Sequence, residues 1–439
     1  MLCVKRIFLI GLACISLSVC RAEPDVLPRR GVFGAAVADD PHGVRITAIV
    51  PGSPAATSGL KIGDVLTQMG AHPMATPADF LKAVHESPVS TPLQIAVLRD
   101  GRTTYSQVVL IPAPTEVADS EVTTEYSSIV VDGSLRRTLI TVPTHLSGPR
   151  PALLLIGGIG CFSIDNPADP HDPYRYLAHD LTRRVGLIVM RVEKAGIGDS
   201  QGGPCFTTDF NHESQMYAAA FDALVRDPRV DSKRVFLFGH SIGTLIAPRL
   251  ALKRPVAGII VAEAVGINWF EYELANLRRQ SVLSGDGPAE TDDLLRSKEV
   301  CMHRLLIQHE TESVIEAEMP DCKKRNTYPV AAPYMQQVAA LNIAEPWTRI
   351  TVPVLAIYGT ADFVTSEVEH QRIVGIVNAQ RPGNGQLQLV DGMDHHLAIM
   401  GTPQHAYDVR VKQHGDGEYA AGLSTIVIRW ISDQLGSGR

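Results

Sequence analysis

The chain has 439 residues, a formal net charge of −7, 45% hydrophobic residues and 20% charged residues. That length exceeds what one ordinary core serves and implies two or three folded units. With mild acidity and no basic field, the composition excludes a nucleic-acid partner.

In chain order the first element reads as an export signal. Lys5 and Arg6 precede the apolar run Ile7–Val19, and Cys20-Arg21-Ala22 offers small residues at the −3 and −1 positions of a cleavage site. Cleavage after Ala22 (signal 1–22) is expected. Lipidation of Cys20 would need a small residue before it, where Val19 stands. The run is shorter than the ~20 apolar residues a bilayer span needs, and no later segment reads as transmembrane. The mature chain is therefore expected to be periplasmic or secreted. Removing the signal takes Cys3, Cys14 and Cys20 and leaves Cys161, Cys205, Cys301 and Cys322. An even set in an oxidising compartment suggests two disulfides; four buried free thiols is the other reading.

Residues 31–112 form the next unit. Apolar residues alternate at Val44, Ile46 and Ala48 and at Leu93, Ile95 and Val97, the period of half-buried strands, while Pro77–His85 reads as a helix. Pro51-Gly52-Ser53-Pro54-Ala55-Ala56, running into Gly59-Leu60 and Gly63-Asp64, resembles a PDZ domain of the bacterial exported type. The resemblance implies a groove between that helix and an edge strand, where an extended peptide adds as a strand. Its C-terminal carboxylate would be captured by backbone N–H groups of Val32, Phe33, Gly34 and Ala35. A PDZ that merely packs against its neighbour or pairs subunits is the competing reading. Residues 113–122, Pro-rich and acidic, read as a linker.

From 121 to 439 the pattern changes. Strands are expected at Ser127–Val131 and Thr138–Val142, then as short apolar runs at Ala152–Ile156, Gly186–Met190, Arg234–Phe238, Gly258–Ala262, Pro353–Tyr358 and Gln386–Val390. Helical stretches lie between most of them, which implies an α/β class with a mainly parallel sheet. Ligands of such sheets bind at the carboxyl ends of the strands. About 90 residues separate two of these runs, far more than a crossover helix needs. Trp269–Leu283, Thr291–Gln308 and Val330–Ile343 look helical, so 266–345 is read as a helical cap over the pocket, with a peripheral decoration as the alternative.

Strand ends carry the chemistry. Gly239-His240-Ser241-Ile242-Gly243 follows an apolar strand and matches G-x-S-x-G, a sharp strand-to-helix turn that presents a serine. A serine hydroxyl needs a base to take its proton and a carboxylate to hold that base in one tautomer. Gly359-Thr360-Ala361-Asp362 and Gly392-Met393-Asp394-His395 follow two later strands and supply both in the order Ser, acid, His. This pattern, with the turn Lys194–Gly202, resembles the α/β-hydrolase family of serine hydrolases, esterase-like or peptidase-like. The resemblance implies Ser241, Asp362 and His395 as catalytic triad and the backbone N–H groups of Ile242 and Ile159 as oxyanion donors. The G-x-x-H spacing favours His395 over His396; Asp391 and Asp394 are reserve acids. Asp199 and Ser200, in the 194–202 turn, are read as architectural.

The loops after neighbouring strands place Cys161 beside Cys205, and Cys301 would close a loop with Cys322 inside the cap. No metal and no cofactor are expected. The function read from this pattern is hydrolysis of a small carboxylic ester or thioester through an acyl-enzyme. The alternatives are a serine peptidase of the prolyl-oligopeptidase or iminopeptidase type, in which Glu271 or Glu273 would hold a free amino terminus, and an inactive PDZ scaffold that binds a protein C-terminus.

Overall fold

Strands whose apolar residues alternate and strands that are apolar throughout fold into separate sheets. The structure, a computed structural model, describes residues 27–169 and 171–436; the export signal and its cysteines lie outside the described residues. The strands of the first part are β1 (Gly31–Val32), β2 (Ala35–Asp40), β3 (Gly43–Ile49), β4 (Val65–Met69), β5 (His72–Pro73), β6 (Pro92–Arg99), β7 (Arg102–Val109) and β8 (Ile111–Pro112). They are followed by β9 (Val122–Val131), β10 (Ser134–Pro143), β11 (Arg150–Ile156), β12 (Ile188–Val192), β13 (Val230–His240), β14 (Gly258–Ala262), β15 (Val354–Gly359) and β16 (Gly385–Val390).

The first sheet runs β2-β3-β4-β6-β7 with β5 paired to β4, so β2 is an edge strand beside the helix Pro77–Glu86. That helix starts at a reciprocal cap between Thr76 and Asp79. Val44, Ile46, Ile95 and Val97 point into its core as expected, but Ala48 is exposed. A bulge opposite Ala36 and Val37 shifts the pairing by one residue, which turns Ile49 inward in place of Ala48.

The second sheet runs β16-β15-β14-β13-β11-β12-β10-β9 and is parallel from β16 to β12, with β10 and β9 antiparallel at one edge. In β11, Ala152, Leu154 and Ile156 enter the apolar layer on one face while Leu153 and Leu155 enter the other. Burial on both faces is why these runs lack polar alternation. The strand expected from Gly186 starts at Ile188, because Gly186 is the left-handed cap (φ +71°) of the helix Pro173–Val185. The strand over Arg234–Phe238 extends to Val230–His240, carrying its carboxyl end to Ser241.

Residues 266–345 are helical: Trp269–Ser284, Pro288–Met302 with a π-turn at His303–Ile307, Glu312–Glu318, Cys322–Arg325 and Ala332–Ala339. Their buried side chains join the apolar layer that also holds Phe210, Phe221, Leu245 and Leu250. Cys161 is bonded to Cys205 and Cys301 to Cys322. Among the described residues, no helix is long and apolar enough to cross a membrane.

Candidate active site

Ser241 is the first residue beyond β13 and adopts φ +52°, and the helix Gly243–Ala251 starts two residues later. Reversing the chain so tightly presses both flanking glycines against backbone. A Cβ on Gly239 would lie 2.7 Å from the Gly243 carbonyl oxygen, and one on Gly243 would lie 2.4 Å from that of Ile156. The glycines of the pentapeptide are thus steric requirements, and the strain falls on the serine.

Asp362 follows β15 and His395 follows β16, the neighbouring strand, so both side chains arrive at the end of the sheet that carries Ser241. His395 Nε2 lies 3.0 Å from Ser241 Oγ, and its Nδ1 lies 3.0 Å from Asp362 Oδ2. Asp362 also accepts the N–H of Val364 at 2.6 Å and the hydroxyl of Thr365 at 2.5 Å. Burial opposes ionisation of Asp362, but His395 and these donors outweigh it and hold the carboxyl well below the usual range. An ionised Asp362 on Nδ1 fixes the tautomer that leaves Nε2 bare toward the serine.

His396 turns away. Its backbone N–H donates to Asp394 at 3.0 Å, and its side chain is exposed. The reserve acids are engaged elsewhere: Asp394 accepts Arg410 at 2.8 Å and the N–H of Ala398 at 3.0 Å, while Asp391 accepts the hydroxyl of Thr360 at 3.2 Å. Asp199 accepts Arg137 at 2.8 Å and the N–H of Arg30 at 2.7 Å, far from a reacting role.

The loop after β11 offers several N–H groups, and most are occupied. Gly157 N–H donates to the Tyr217 hydroxyl and Gly158 N–H to the Tyr174 hydroxyl, each at 3.1 Å. The N–H groups of Ile159 and Ile242 meet no acceptor among the described residues. The Tyr174 hydroxyl lies 2.7 Å from His240 Nδ1, and His240 Nε2 lies 2.8 Å from the His395 carbonyl oxygen. A carbonyl only accepts, so Nε2 bears the proton and Nδ1 accepts from Tyr174. Burial and the neighbouring His395 push the His240 ring down to about 3, consistent with this neutral tautomer. One chain of hydrogen bonds therefore ties the loop after β11 to the backbone of His395.

Ser241 and His395 open onto a cavity of about 480 Å³ lined by Ile159, Phe162, Tyr174, Ala398 and Arg410, with Asp169 and Asp416 exposed at its edge. Its walls come from 158–174 and 395–417, not from the helical segment 266–345. Tyr272 of that segment is buried in the apolar layer that also holds Ile242. The acids expected to hold an amino terminus are likewise outside the cavity. Glu273 pairs with Lys298 at 2.7 Å, and the Glu271 carboxylate accepts the side-chain amide of Asn268, the cap of its helix, at 3.0 Å. Sequence reading missed Tyr174, Arg410 and Glu263. Glu263 directly follows an apolar strand, and a strand end also singled out Asp362, three residues past its own. Tyr174, at a helix start, and Arg410, inside the π-helical turn Asp408–Lys412, carry no such signal.

In the PDZ-like part, Val32 pairs with Ile111, and Phe33 is buried edge-on against Phe80 at 5.2 Å. Gly34 turns at φ +80°, where a Cβ would sit 2.1 Å from that of Ser53, and Ala35 begins the edge strand β2.

Comparison with known proteins adds two family matches: a model described as serine aminopeptidase, S33, over residues 169–399, and one described as PDZ domain over residues 31–110. The chain is 24% identical over 266 residues to esterase EstD of Thermotoga maritima, covering 60% of this chain and 58% of that esterase. Two of the similar solved structures are DcsB in complex with its substrate analogue and Est1E from Butyrivibrio proteoclasticus. DcsB has a TM-score of 0.46 and 16% identity, over 71% of this chain and 100% of that one. For Est1E the TM-score is 0.44 and the identity 13%, over 71% of this chain and 99% of that one.

Proposed function

Since the chain belongs to the serine aminopeptidase S33 family of α/β hydrolases, we propose that it is an exported serine hydrolase that cleaves small carboxylic esters or thioesters. Ser241 Oγ attacks the carbonyl carbon while His395 Nε2 takes the hydroxyl proton. The developing oxyanion accepts the N–H groups of Ile242 and Ile159. His395 then returns the proton to the leaving alcohol or thiol, and water attacks the acyl-enzyme by the same route in reverse. The observation that carries this reading is the unbroken line Ser241–His395–Asp362, two contacts of 3.0 Å, at the floor of an open cavity.

The cavity also bears on the bond cleaved. Ile159, Phe162, Tyr174 and Ala398 give its wall an apolar share, beside the polar His240 and Arg410, that suits an acyl group through burial at about 25 cal/mol per Å². An aminopeptidase reading draws on Asp169 and Asp416 at the rim, which replace Glu271 and Glu273 as candidates for an ammonium group. The deciding experiment compares kcat/KM for short-chain p-nitrophenyl esters and aminoacyl p-nitroanilides. Esters are expected to be cleaved far faster. Comparable anilide turnover that is lost in Asp169→Asn or Asp416→Asn would establish a peptidase instead.

Export and peptide recognition belong to the same proposal. The two disulfides suit an oxidising compartment; mass spectrometry of the mature chain should find Glu23 as its first residue. The edge strand β2 and the turn at Gly34 suit a peptide C-terminus. A peptide with a free carboxylate should bind and its C-terminal amide should not.

A further inference from the structure

β14 lies between the serine strand β13 and the acid strand β15, and its apolar run ends at Ala262. The next residue, Glu263, has no exposure to solvent. Its backbone takes φ +50°, a left-handed conformation that a residue with a side chain adopts only where its surroundings enforce it. The turn aims the carboxyl at the triad: oxygens of Glu263 and Asp362 and a ring nitrogen of His395 lie within 4.8 Å of one another. Oε1 accepts the Gly359 N–H at 2.8 Å. A Cβ on Gly359 would lie 2.2 Å from the Met393 carbonyl oxygen and 2.8 Å from that same Glu263 oxygen, so the chain is closely packed here. Oε2 faces no donor among the described residues.

Two ionised carboxylates cannot sit this close in a dry site, and the arrangement is relieved when the pair shares one proton. We propose that Glu263 is a protonated carboxylic acid whose O–H, on Oε2, donates to Asp362, which makes it a positioning residue for the acid of the triad. The inference rests on the triad assigned above. Burial and the Asp362 charge push the Glu263 carboxyl well above the ordinary range, the direction this arrangement requires. The hydrogen bond locks Asp362 in register with His395 Nδ1 and withdraws part of its negative charge.

The test compares two variants of the full mature chain with a p-nitrophenyl ester. Glu263→Gln keeps a donor for Asp362 and an acceptor for Gly359. Its kcat/KM should stay within about threefold of wild type, with the acid limb of the pH profile unmoved. Glu263→Leu deletes the donor. It should lower kcat about tenfold to a hundredfold with KM unchanged, and move the acid limb to higher pH because an unshared Asp362 charge holds the imidazolium proton more tightly. Were Glu263 ionised, the glutamine would remove a full negative charge and the acid limb would move to lower pH, which overturns the inference.

Infrared spectroscopy gives a readout independent of turnover and of whether the leucine variant folds. The wild type should show a buried protonated-carboxyl band that Glu263→Gln lacks; identical spectra would refute a protonated Glu263. Fluorophosphonate labelling separates the two levels. Labelling that survives Ser241→Ala sinks the triad itself. Labelling that needs Ser241, together with a wrong shift in Glu263→Gln, sinks only the role of Glu263.

Discussion

Adjacent histidines, His395 and His396, are both candidates for the proposed base, and they face different partners. Only His395 bridges Ser241 and Asp362. His395→Ala should therefore lower ester hydrolysis by several orders of magnitude, and His396→Ala only mildly, because triad members act as a unit. The reverse ranking in steady-state kinetics would assign the base to His396. Tyr174→Phe should cost about 1–3 kcal/mol in kcat/KM, since it strands the Gly158 N–H and His240 Nδ1 at once. Glu193, buried beneath the same loop, gives stability a pH dependence. Burial raises its carboxyl to about 7, against which the bond from Ser163 acts only in part. A raised carboxyl binds its proton more tightly in the native chain. Its contribution is thus complete below the unfolded value of about 4.5 and is lost as pH rises through about 7. Thermal unfolding should find Glu193→Gln more stable than wild type at pH 8, by up to a few kcal/mol, and little changed at pH 5. An equal difference at both pH values would show that Glu193 is ionised throughout.

Elements place these side chains, and disulfides tie some elements down. Cys161 lies two residues beyond Ile159, and its bond to Cys205 joins the loop after β11, which holds the proposed oxyanion donor, to the turn after β12. Cys301–Cys322 joins helices inside the segment 266–345, which contributes nothing to the cavity wall. On the loop-entropy model each contributes about 2–4 kcal/mol. The functional consequences should differ: Cys161→Ser with Cys205→Ser should lower kcat as well as the melting temperature, whereas Cys301→Ser with Cys322→Ser should lower only the melting temperature. Equal kcat losses in the two pairs would show that the 266–345 segment governs the site after all.

At the level of the whole molecule, the stretch expected to be a linker is docked. Burial works to raise the Glu116 carboxyl, but His179 and Arg191 hold it at about 2, and it accepts Arg191 at 2.7 Å. Ahead of the PDZ-like part, Arg29 meets Asp165 at 2.6 Å and Asp199 at 2.5 Å. Arg30 and Ala113 are joined by a backbone hydrogen bond of 2.8 Å, so the small sheet enters and leaves the hydrolase at one point. Truncation before residue 116 would remove Arg29 and leave buried carboxylates short of a partner, at about 3–5 kcal/mol. Excising 32–111 and bridging Gly31 to Pro112 with a short turn should instead retain melting temperature and small-ester hydrolysis. Activity lost in a folded excision variant would make the PDZ-like part a component of the active site.

Local signals made much of this legible from the sequence. Apolar runs named the strands, G-x-S-x-G named the turn, and residues just past strand ends named Asp362 and His395, because burial on both faces and tight turning each restrict residue choice over a few neighbours. Ala48, the wall of the cavity, the docking of Glu116 and the convergence of Glu263 on Asp362 were not legible. They depend on a bulge within β3 set by its pairing with β2, on which loops rise above the sheet, and on strands distant in the chain lying side by side. A carboxyl group becomes a proton donor only when folding brings a second carboxylate against it and excludes the water that would otherwise ionise both.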